Sequence, residues 1–132
     1  MMRTAIRAAA RPPHSTLLAF LFLVACSSMQ LQEVQDLDTL YFGTSRAGGV
    51  ISDAEWKTFV DEVITPAFPG FTEWKAVGHW RGAEEATHVV QIAHLSRRRN
   101  DESVIRIIIE YKRRFEQESV FWIRSRGLVA PQ

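Results

Sequence analysis

The stretch LDTLYFGTSRAGGVISDAEWKTFV, residues 37–60, contains a strand, a loop and the start of a helix. Residues 37–44 are rich in strand-favouring side chains and are followed by a glycine-containing loop, which predicts a first strand. Ser52 and Glu55 then have the spacing of a capping box. Apolar residues recur at helical spacing after that box, so we predict a helix over about residues 53–64.

The following part of the chain reads as a β-hairpin, a second helix and a last strand. Residues 71–81 alternate along the chain, which predicts a strand, and residues 88–95 read as its hairpin partner although each of their two faces is mixed. A short acidic connection over 82–86 joins them. Apolar residues at helical spacing predict a helix over about 101–116, and 119–124 reads as a strand. This β-α-β-β-α-β order is typical of the ferredoxin-like sandwich. We therefore predict an α+β fold in which a four-stranded antiparallel sheet, of order 4-1-3-2, carries two helices on one face.

The N-terminal segment has the features of a bacterial lipoprotein signal. Three arginines and no acidic residue precede an apolar run over residues 17–24, and the four residues that end at Cys26 (LVAC) have the form of a lipobox. The run is too short for a membrane-spanning helix, which needs about 20 apolar residues. We expect residues 1–25 to be a signal peptide that is removed, and Cys26 to become a lipidated N-terminus.

The remainder of the chain divides into three parts. Residues 26–36 consist of the lipidated cysteine and a polar tether, residues 37–126 form the α+β domain, and residues 127–132 form a tail. Without the three arginines of the signal peptide, the chain has 13 basic and 15 acidic residues. This balance gives no electrostatic basis for binding nucleic acid.

Lipidation determines the expected compartment and partners. Acyl chains such as palmitate on Cys26 would hold the protein at a membrane, since two or more chains give stable anchoring. Ser27 occupies the position at which an aspartate resembles an inner-membrane retention signal. We therefore expect the periplasmic face of the outer membrane, in the bacterial cell envelope. The expected partners are the membrane, through the lipid, and an unknown envelope protein or small ligand.

The predicted topology brings three loops to the end of the sheet opposite to the tether. They are the loop after the first strand, the tip of the hairpin and the connection before the last strand. Polar and aromatic side chains near these loops form a candidate ligand rim. Its residues are Tyr41, Arg46, His79 and Arg81.

A second candidate surface is the face of the sheet that the helices leave open. An open face with aromatic and polar side chains suits a partner protein, a small amphipathic ligand or a second copy of the chain. The side chains expected under the helices are Leu40, Phe42, Trp74 and Ile123. The residues predicted on the candidate interaction face are Tyr41, Glu73, Lys75, Trp122 and Arg124.

No pattern in the sequence identifies a reaction. No serine lies in a nucleophile-elbow setting, and the sequence has neither a phosphate loop nor a zinc-binding spacing. His88 and His94 lie about 20 Å apart along one predicted strand, so they cannot share a metal without other ligands. We therefore predict no catalytic residue, no metal site and no cofactor.

Several motifs resemble those of a family of short bacterial lipoproteins that carry a single domain of unknown function. The similar segments are LYFGTSR (40–46), SDAEW (52–56), ITPAFPGFT (64–72), GHW (78–80) and YKRRF (111–115). They extend over residues 37–124, which is nearly the whole predicted domain. The resemblance supports a helix over 101–116 and implies no assigned catalytic or binding residue.

These observations predict a lipid-anchored periplasmic binding or interaction module of unknown specificity. A homodimer through the sheet is one form that this interaction would take. The alternative is a small periplasmic enzyme that uses the Tyr41, Arg46 and His79 side chains of the rim. A deep enclosed pocket over His79 would favour the enzyme, and a flat or dimerised sheet would favour the interaction module.

Overall fold

The computed structural model describes residues 34–128, so the predicted signal peptide, Cys26 and most of the tether lie outside the described residues. Its strands are β1 (Val34–Gly43), β2 (Ser45–Arg46), β3 (Gly49–Val50), β4 (Thr72–Trp80), β5 (Ala83–Leu95) and β6 (Phe121–Leu128). Helix α1 runs over Asp53–Phe59, continues with π-helical geometry over Val60–Ile64 and ends with Thr65–Ala67, and helix α2 is Arg98–Phe115. Within these described residues, no helix is long and apolar enough to cross a membrane.

The four long strands form one antiparallel sheet in the order β4-β5-β1-β6. In this sheet β1 pairs with both β5 and β6, while β4 pairs with β5 at one edge. Both helices pack on the same face, which their apolar side chains share with those of β1 and β5. The predicted α+β ferredoxin-like fold and its strand order 4-1-3-2 are therefore confirmed.

Aromatic side chains form the centre of the core between the sheet and the helices. The ring centroid of Phe42 on β1 lies 4.6 Å from that of Tyr111 on α2 and 5.3 Å from that of Trp56 on α1. The ring of Phe59 lies 5.1 Å from that of Tyr111. Because all four side chains are buried, their packing holds both helices against the same strand.

The first and last strands of the sheet are longer than predicted. β1 begins at Val34, inside the predicted tether, and β6 ends at Leu128, inside the predicted tail. The Arg126 side chain donates a hydrogen bond of 2.8 Å to the buried carboxylate of Asp36. This ion pair joins the two strand ends. Asp36 of the predicted tether and Arg126 near the predicted tail therefore neutralise each other across a strand pair.

Two predicted loops are also more regular than expected. β4 and β5 meet in a two-residue turn at Arg81 and Gly82, so most of the predicted connection over 82–86 belongs to β5. Both turn residues have positive φ, as a type I′ hairpin turn requires. The predicted loop over 45–50 contains the small hairpin of β2 and β3.

The strand register corrects the predicted faces of β4. Directly opposed residues of an antiparallel pair lie on the same face. Lys75 opposes His88, which in turn opposes Phe42 in the core, so Lys75 lies on the helix-covered face. Glu73 has the same orientation, and Trp74, between them, lies on the open face.

Contacts with helix α1 explain why polar side chains of β4 lie on the covered face. β4 is an edge strand, so its side chains meet the margin of the helix layer and not the centre of the core. The Lys75 ammonium donates to the Asp53 carboxylate at 2.7 Å. The Trp56 indole N–H donates to the Glu73 carboxylate at 3.0 Å. These partners satisfy the two charged groups without removing them from solvent.

The faces of β6 are likewise the reverse of those predicted. Trp122 opposes Leu40 and Arg124 opposes Asp38, both of which lie on the helix-covered face. Ile123 therefore lies on the open face. The Trp122 indole N–H and the Arg124 guanidinium donate to the Asp38 carboxylate at 2.8 and 2.7 Å, which satisfies these polar groups beside the core. Of the residues predicted on the open interaction face, the structure places Tyr41 there and places Glu73, Lys75, Trp122 and Arg124 on the covered face.

Candidate functional site

An open groove of about 970 Å³ lies at the end of the sheet where β1 ends. Its walls come from the loop after β1, the tip of the β4–β5 hairpin and the connection from α2 to β6. The structure places all four residues of the predicted ligand rim on this one lining. The lining residues with aromatic or charged side chains are Tyr41, Arg46, His79, Trp80, Arg81, Glu84, Glu85, Glu116, Glu118 and Phe121.

The cations of the rim are held by carboxylates to different degrees. The Arg46 guanidinium donates to Glu55 on helix α1 at 2.8 Å. The backbone N–H of Ser52, together with Arg46, lowers the pKa of Glu55 to about 2, so this carboxylate keeps its charge over the physiological pH range. The Arg81 guanidinium lies 3.5 Å from the Glu118 carboxylate, which is a long contact, and both side chains are exposed. Arg81 is therefore the more weakly paired of the two groove arginines.

Hydrogen bonds between residues far apart in the sequence hold the walls of the groove together. The Tyr111 hydroxyl donates to the Gly43 carbonyl at 2.8 Å, and the Gln117 amide donates to the Ser45 carbonyl at 2.8 Å. The Glu85 carboxylate accepts from the backbone N–H of Ser45 at 2.8 Å. Gly43 makes room for this contact, because a Cβ atom there would lie 2.6 Å from the Glu85 carboxylate. The loop after β1 is thus fixed to both other walls.

The groove contains more acidic than basic side chains. The sequence predicted the basic and aromatic members but not the carboxylates. The side chains of Glu84 and Glu116 make no hydrogen bond or ion pair with any other residue of the described chain. Negative charge that no protein cation neutralises is therefore available to a ligand at this end of the sheet.

Backbone strain is concentrated at the same groove. Within residues 34–128, the non-glycine residues with positive φ are Arg81 (φ 51°) and Glu116 (φ 55°), and both line the groove. Arg81 is the first residue of the hairpin turn, where asparagine or glycine is usual. Glu116 ends helix α2 at a position that glycine usually occupies. Residues kept in costly backbone conformations are typical of functional sites, so these two residues point to this groove.

We expect Arg81→Asn to raise the free energy of unfolding by about 1 kcal/mol, because asparagine tolerates positive φ better than arginine does. Chemical denaturation of the variant and of the parent protein measures this difference. Arg81→Lys is the matched control, since lysine keeps the charge and gains nothing at this φ. Equal stability of the Asn and Lys variants would contradict the assignment of strain to this residue.

His88 and His94 lie in different surroundings on β5. The His88 ring stacks on Trp56 with centroids 4.2 Å apart, and burial together with the nearby Lys75 ammonium lowers the pKa of His88. His94 lies near the end of β5, where its Nε2 atom is 2.7 Å from the Asp38 carboxylate. No group of three or more potential metal ligands occurs among the described residues.

Two solved structures share this fold at low sequence identity. A phage SAM lyase in complex with S-methyl-5′-thioadenosine has a TM-score of 0.51 and 17% identity, and the match covers 69% of this chain and 80% of that chain. The phage SAM lyase in the apo state has a TM-score of 0.52 and 18% identity, and the match covers 73% and 84% of the two chains. No curated protein matches this chain. At these identities the likeness establishes a common fold.

The family match extends over most of the described domain. Residues 37–130 match a family described as "Protein of unknown function (DUF3574)". This range includes both helices, every residue of the groove and all four long strands. Only the first three residues of β1 lie outside it. The chain therefore belongs to the DUF3574 family of proteins of unknown function.

Proposed function

We propose that this protein is a lipid-anchored binding module of the bacterial cell envelope whose groove binds small amphipathic organic cations. Cys26 would carry the lipid, and the domain would lie at the periplasmic face of the outer membrane. The lipobox-like segment that ends at Cys26 supports the anchor. The composition of the groove supports the ligand class.

The chain geometry suits a short anchor and a groove that faces away from the membrane. Seven residues lie between Cys26 and the start of β1 at Val34. Fully extended, they reach roughly 25 Å, so a lipid on Cys26 would keep the start of β1 close to the bilayer. The groove lies at the far end of β1, about 30 Å further along the ten-residue strand. A ligand in the periplasm would have free access to it.

The observation that carries the ligand class is the excess of carboxylates beside aromatic rings. The acidic side chains of the lining are Glu84, Glu85, Glu116 and Glu118. Two arginines oppose them, of which Arg46 is bonded to Glu55 outside the groove. Tyr41 and Phe121 lie with ring centroids 5.5 Å apart, and Trp80 adds a third ring. Carboxylates supply charge attraction, and aromatic faces bind organic cations through cation–π contacts.

Two probes of similar size and opposite charge test this proposal: benzyltrimethylammonium and benzoate. We expect the mature protein to bind the cation with a Kd of about 1 mM, in line with a small ligand in an open site. Benzoate should bind at least about tenfold more weakly, since its carboxylate meets the free charges of Glu84 and Glu116. Changes in NMR shifts of groove residues measure both affinities.

Matched variants separate the groove from the rest of the acidic surface. Replacing Glu84 and Glu116 together by glutamine should weaken binding of the cation about tenfold. Glu102→Gln is the control, because this exposed residue of α2 lies outside the groove. Stronger binding of benzoate than of the cation, or equal effects of the groove and control variants, would refute the proposed ligand class.

The second candidate function is the small enzyme that would use Tyr41, Arg46 and His79. The phage SAM lyases favour it, because S-adenosylmethionine is itself a cation with a flat ring system and these enzymes share the fold. The open groove and the exposed His79 side chain support binding without catalysis instead. Incubation of the protein with S-adenosylmethionine distinguishes the two functions. Release of S-methyl-5′-thioadenosine that a Tyr41→Phe variant loses would favour the enzyme.

A further inference from the structure

A row of apolar side chains crosses the open face of the sheet from one edge to the other. Trp74 on β4 opposes Val89 on β5, Val89 opposes Tyr41 on β1, and Tyr41 opposes Phe121 on β6. We call these four residues the aromatic row. Its two ends are open to solvent, with 43% of Trp74 and 64% of Phe121 exposed. Tyr41 is half-buried between them and Val89 is buried, so the exposed apolar area lies at the two ends. Large aromatic side chains exposed on one face are typical of an interaction surface.

The face around the aromatic row is almost free of charge. The neighbouring row on one side consists of Thr72, Gln91, Thr39 and Ile123, and the row on the other side includes Ala76, Thr87 and Gly43. On this face of the four long described strands, Glu85 alone carries a charged side chain, and it is bonded to the Ser45 N–H at the groove. Charged residues make up 23% of the whole chain. Depletion of charge together with enrichment in Tyr, Trp and Phe is the composition of an interface core.

The size of this face matches the requirement of a stable protein interface. Four strands spaced about 4.8 Å apart and about 30 Å long give a face of roughly 600 Å² in projection. Two such faces in contact bury roughly 1,200 Å² in total, which is the lower end of the range for specific interfaces. A single sheet face therefore suffices, without a contribution from the helices.

We propose that a second copy of this chain packs on the open sheet face, so that the aromatic rows of the two copies meet. A two-fold axis along the strand direction would bring the exposed Trp74 of one copy over the exposed Phe121 of the other, with the half-buried Tyr41 of each copy nearer the axis. Such an isologous contact uses the same apolar patch twice. A lipid surface is a poorer occupant, because elements that lie on membranes carry Lys or Arg beside their apolar side chains and this face has neither.

The dimer has a consequence for the groove, although it does not depend on the proposed ligand. Tyr41 and Phe121 belong both to the aromatic row and to the groove lining. A second copy on the row would therefore cover part of both rings, so the second copy and a ligand in the groove would compete for them. The inference rests on the row, its lack of charge and its area, so the test below needs no ligand.

Co-purification of two differently tagged full-length chains from the same bacterial envelope tests the dimer. We expect capture of one tag in mild detergent to recover the other. Phe121→Lys in both chains should reduce this recovery at least about tenfold, because two buried ammonium groups would enter one interface. Ile109→Lys is the matched control, since Ile109 on α2 is similarly exposed, at 59%, and lies away from the sheet face.

A photo-crosslinking residue at position 121 identifies what covers the row in the cell. We expect a crosslinked product of twice the mass of the chain. Crosslinks to lipid alone or to another protein alone would overturn the proposal, as would absence of co-purification or equal loss in the Phe121→Lys and Ile109→Lys proteins. Thermal unfolding of both variants shows that they are folded, as expected for substitutions at exposed positions.

Discussion

We expect Asp38→Asn to lower the free energy of unfolding by about 3–5 kcal/mol, because it removes the anion of a buried cluster of charges. Asp38 is fully buried and accepts hydrogen bonds from Trp122 and Arg124 on β6. The Nε2 atom of His94 on β5 lies 2.7 Å from the same carboxylate, and Arg124 also donates to Asp101 on α2. One carboxylate therefore connects three strands and a helix. An amide in its place would direct an NH₂ group at these donors and leave the guanidinium without its main counter-charge.

Urea denaturation of the parent and variant proteins measures this loss, which corresponds to a fall in Tm of roughly 15–30 °C for a domain of this size. Asp61→Asn is the control, because Asp61 pairs with Lys57 on the exposed side of α1. Such a pair along a helix contributes about 0.5 kcal/mol. If the two variants were destabilised equally, the buried cluster would not be the source of the effect.

The same carboxylate gives the predicted effect a defined pH dependence. Burial by itself raises the pKa of Asp38, but hydrogen bonds from Arg124, His94 and Trp122 outweigh it and hold the pKa below its ordinary value of 3.8. A carboxyl whose pKa is lowered by folding stabilises the protein fully above the unfolded pKa, and that contribution is lost as the pH falls through the folded pKa. The difference in stability between parent and Asp38→Asn should therefore shrink as the pH falls below 3.8.

The order of the elements could be predicted because local patterns specify each of them. The capping box is an example: Ser52 Oγ accepts from the Glu55 N–H at 3.2 Å, and the Glu55 carboxylate accepts from the Ser52 N–H at 2.9 Å. Once two helices and four strands are ordered along the chain, the preference for right-handed connections leaves few arrangements of the sheet. The strand order then follows without knowledge of any long-range contact.

The side of each strand that the helices cover could not be predicted in the same way, because both faces of β4 and β6 carry large side chains. Alternation in β6 separates Trp122 from Ile123 but does not show which of them is covered. Which face of β6 is covered depends on Asp38, which lies more than eighty residues away in sequence. Its carboxylate makes the covered face favourable for Arg124. The same holds for Lys75, whose partner Asp53 lies on a helix. Long-range ion pairs of this kind leave no periodic signal in one sequence.

The position of the groove followed from topology, whereas its charge did not. The sequence predicts Glu84 and Glu85 in a short connection, whereas the two-residue turn at Arg81 and Gly82 places both of them in β5. The strain at Glu116 has no signal in the sequence, because only about a third to a half of helices end in a left-handed residue. Its positive φ is therefore known from the structure alone.

The largest expected effect concerns the anchor: Cys26→Ser should abolish acyl labelling of the protein. The chain has no other cysteine, so no second thiol can take the lipid. A serine hydroxyl is a far weaker nucleophile than a thiolate, and the altered lipobox should also block normal processing. Metabolic labelling with palmitate and the mass of the accumulated protein measure both effects. The variant should retain the 25 residues that precede position 26. Persistent labelling of Cys26→Ser, or an unmodified Cys26 in the mature parent protein, would refute lipidation.

Ser27→Asp separates anchoring from sorting. This substitution leaves Cys26 intact, so acyl labelling and removal of the first 25 residues should continue. An aspartate after the cysteine resembles an inner-membrane retention signal, and we therefore expect the labelled protein to move from the outer to the inner membrane fraction. Because two or more acyl chains dominate attachment, the total amount bound to membranes should not change. Loss of label from this variant would show that the substitution prevents lipidation instead of changing the destination of the protein. An unchanged distribution would show that position 27 does not direct the protein to the outer membrane.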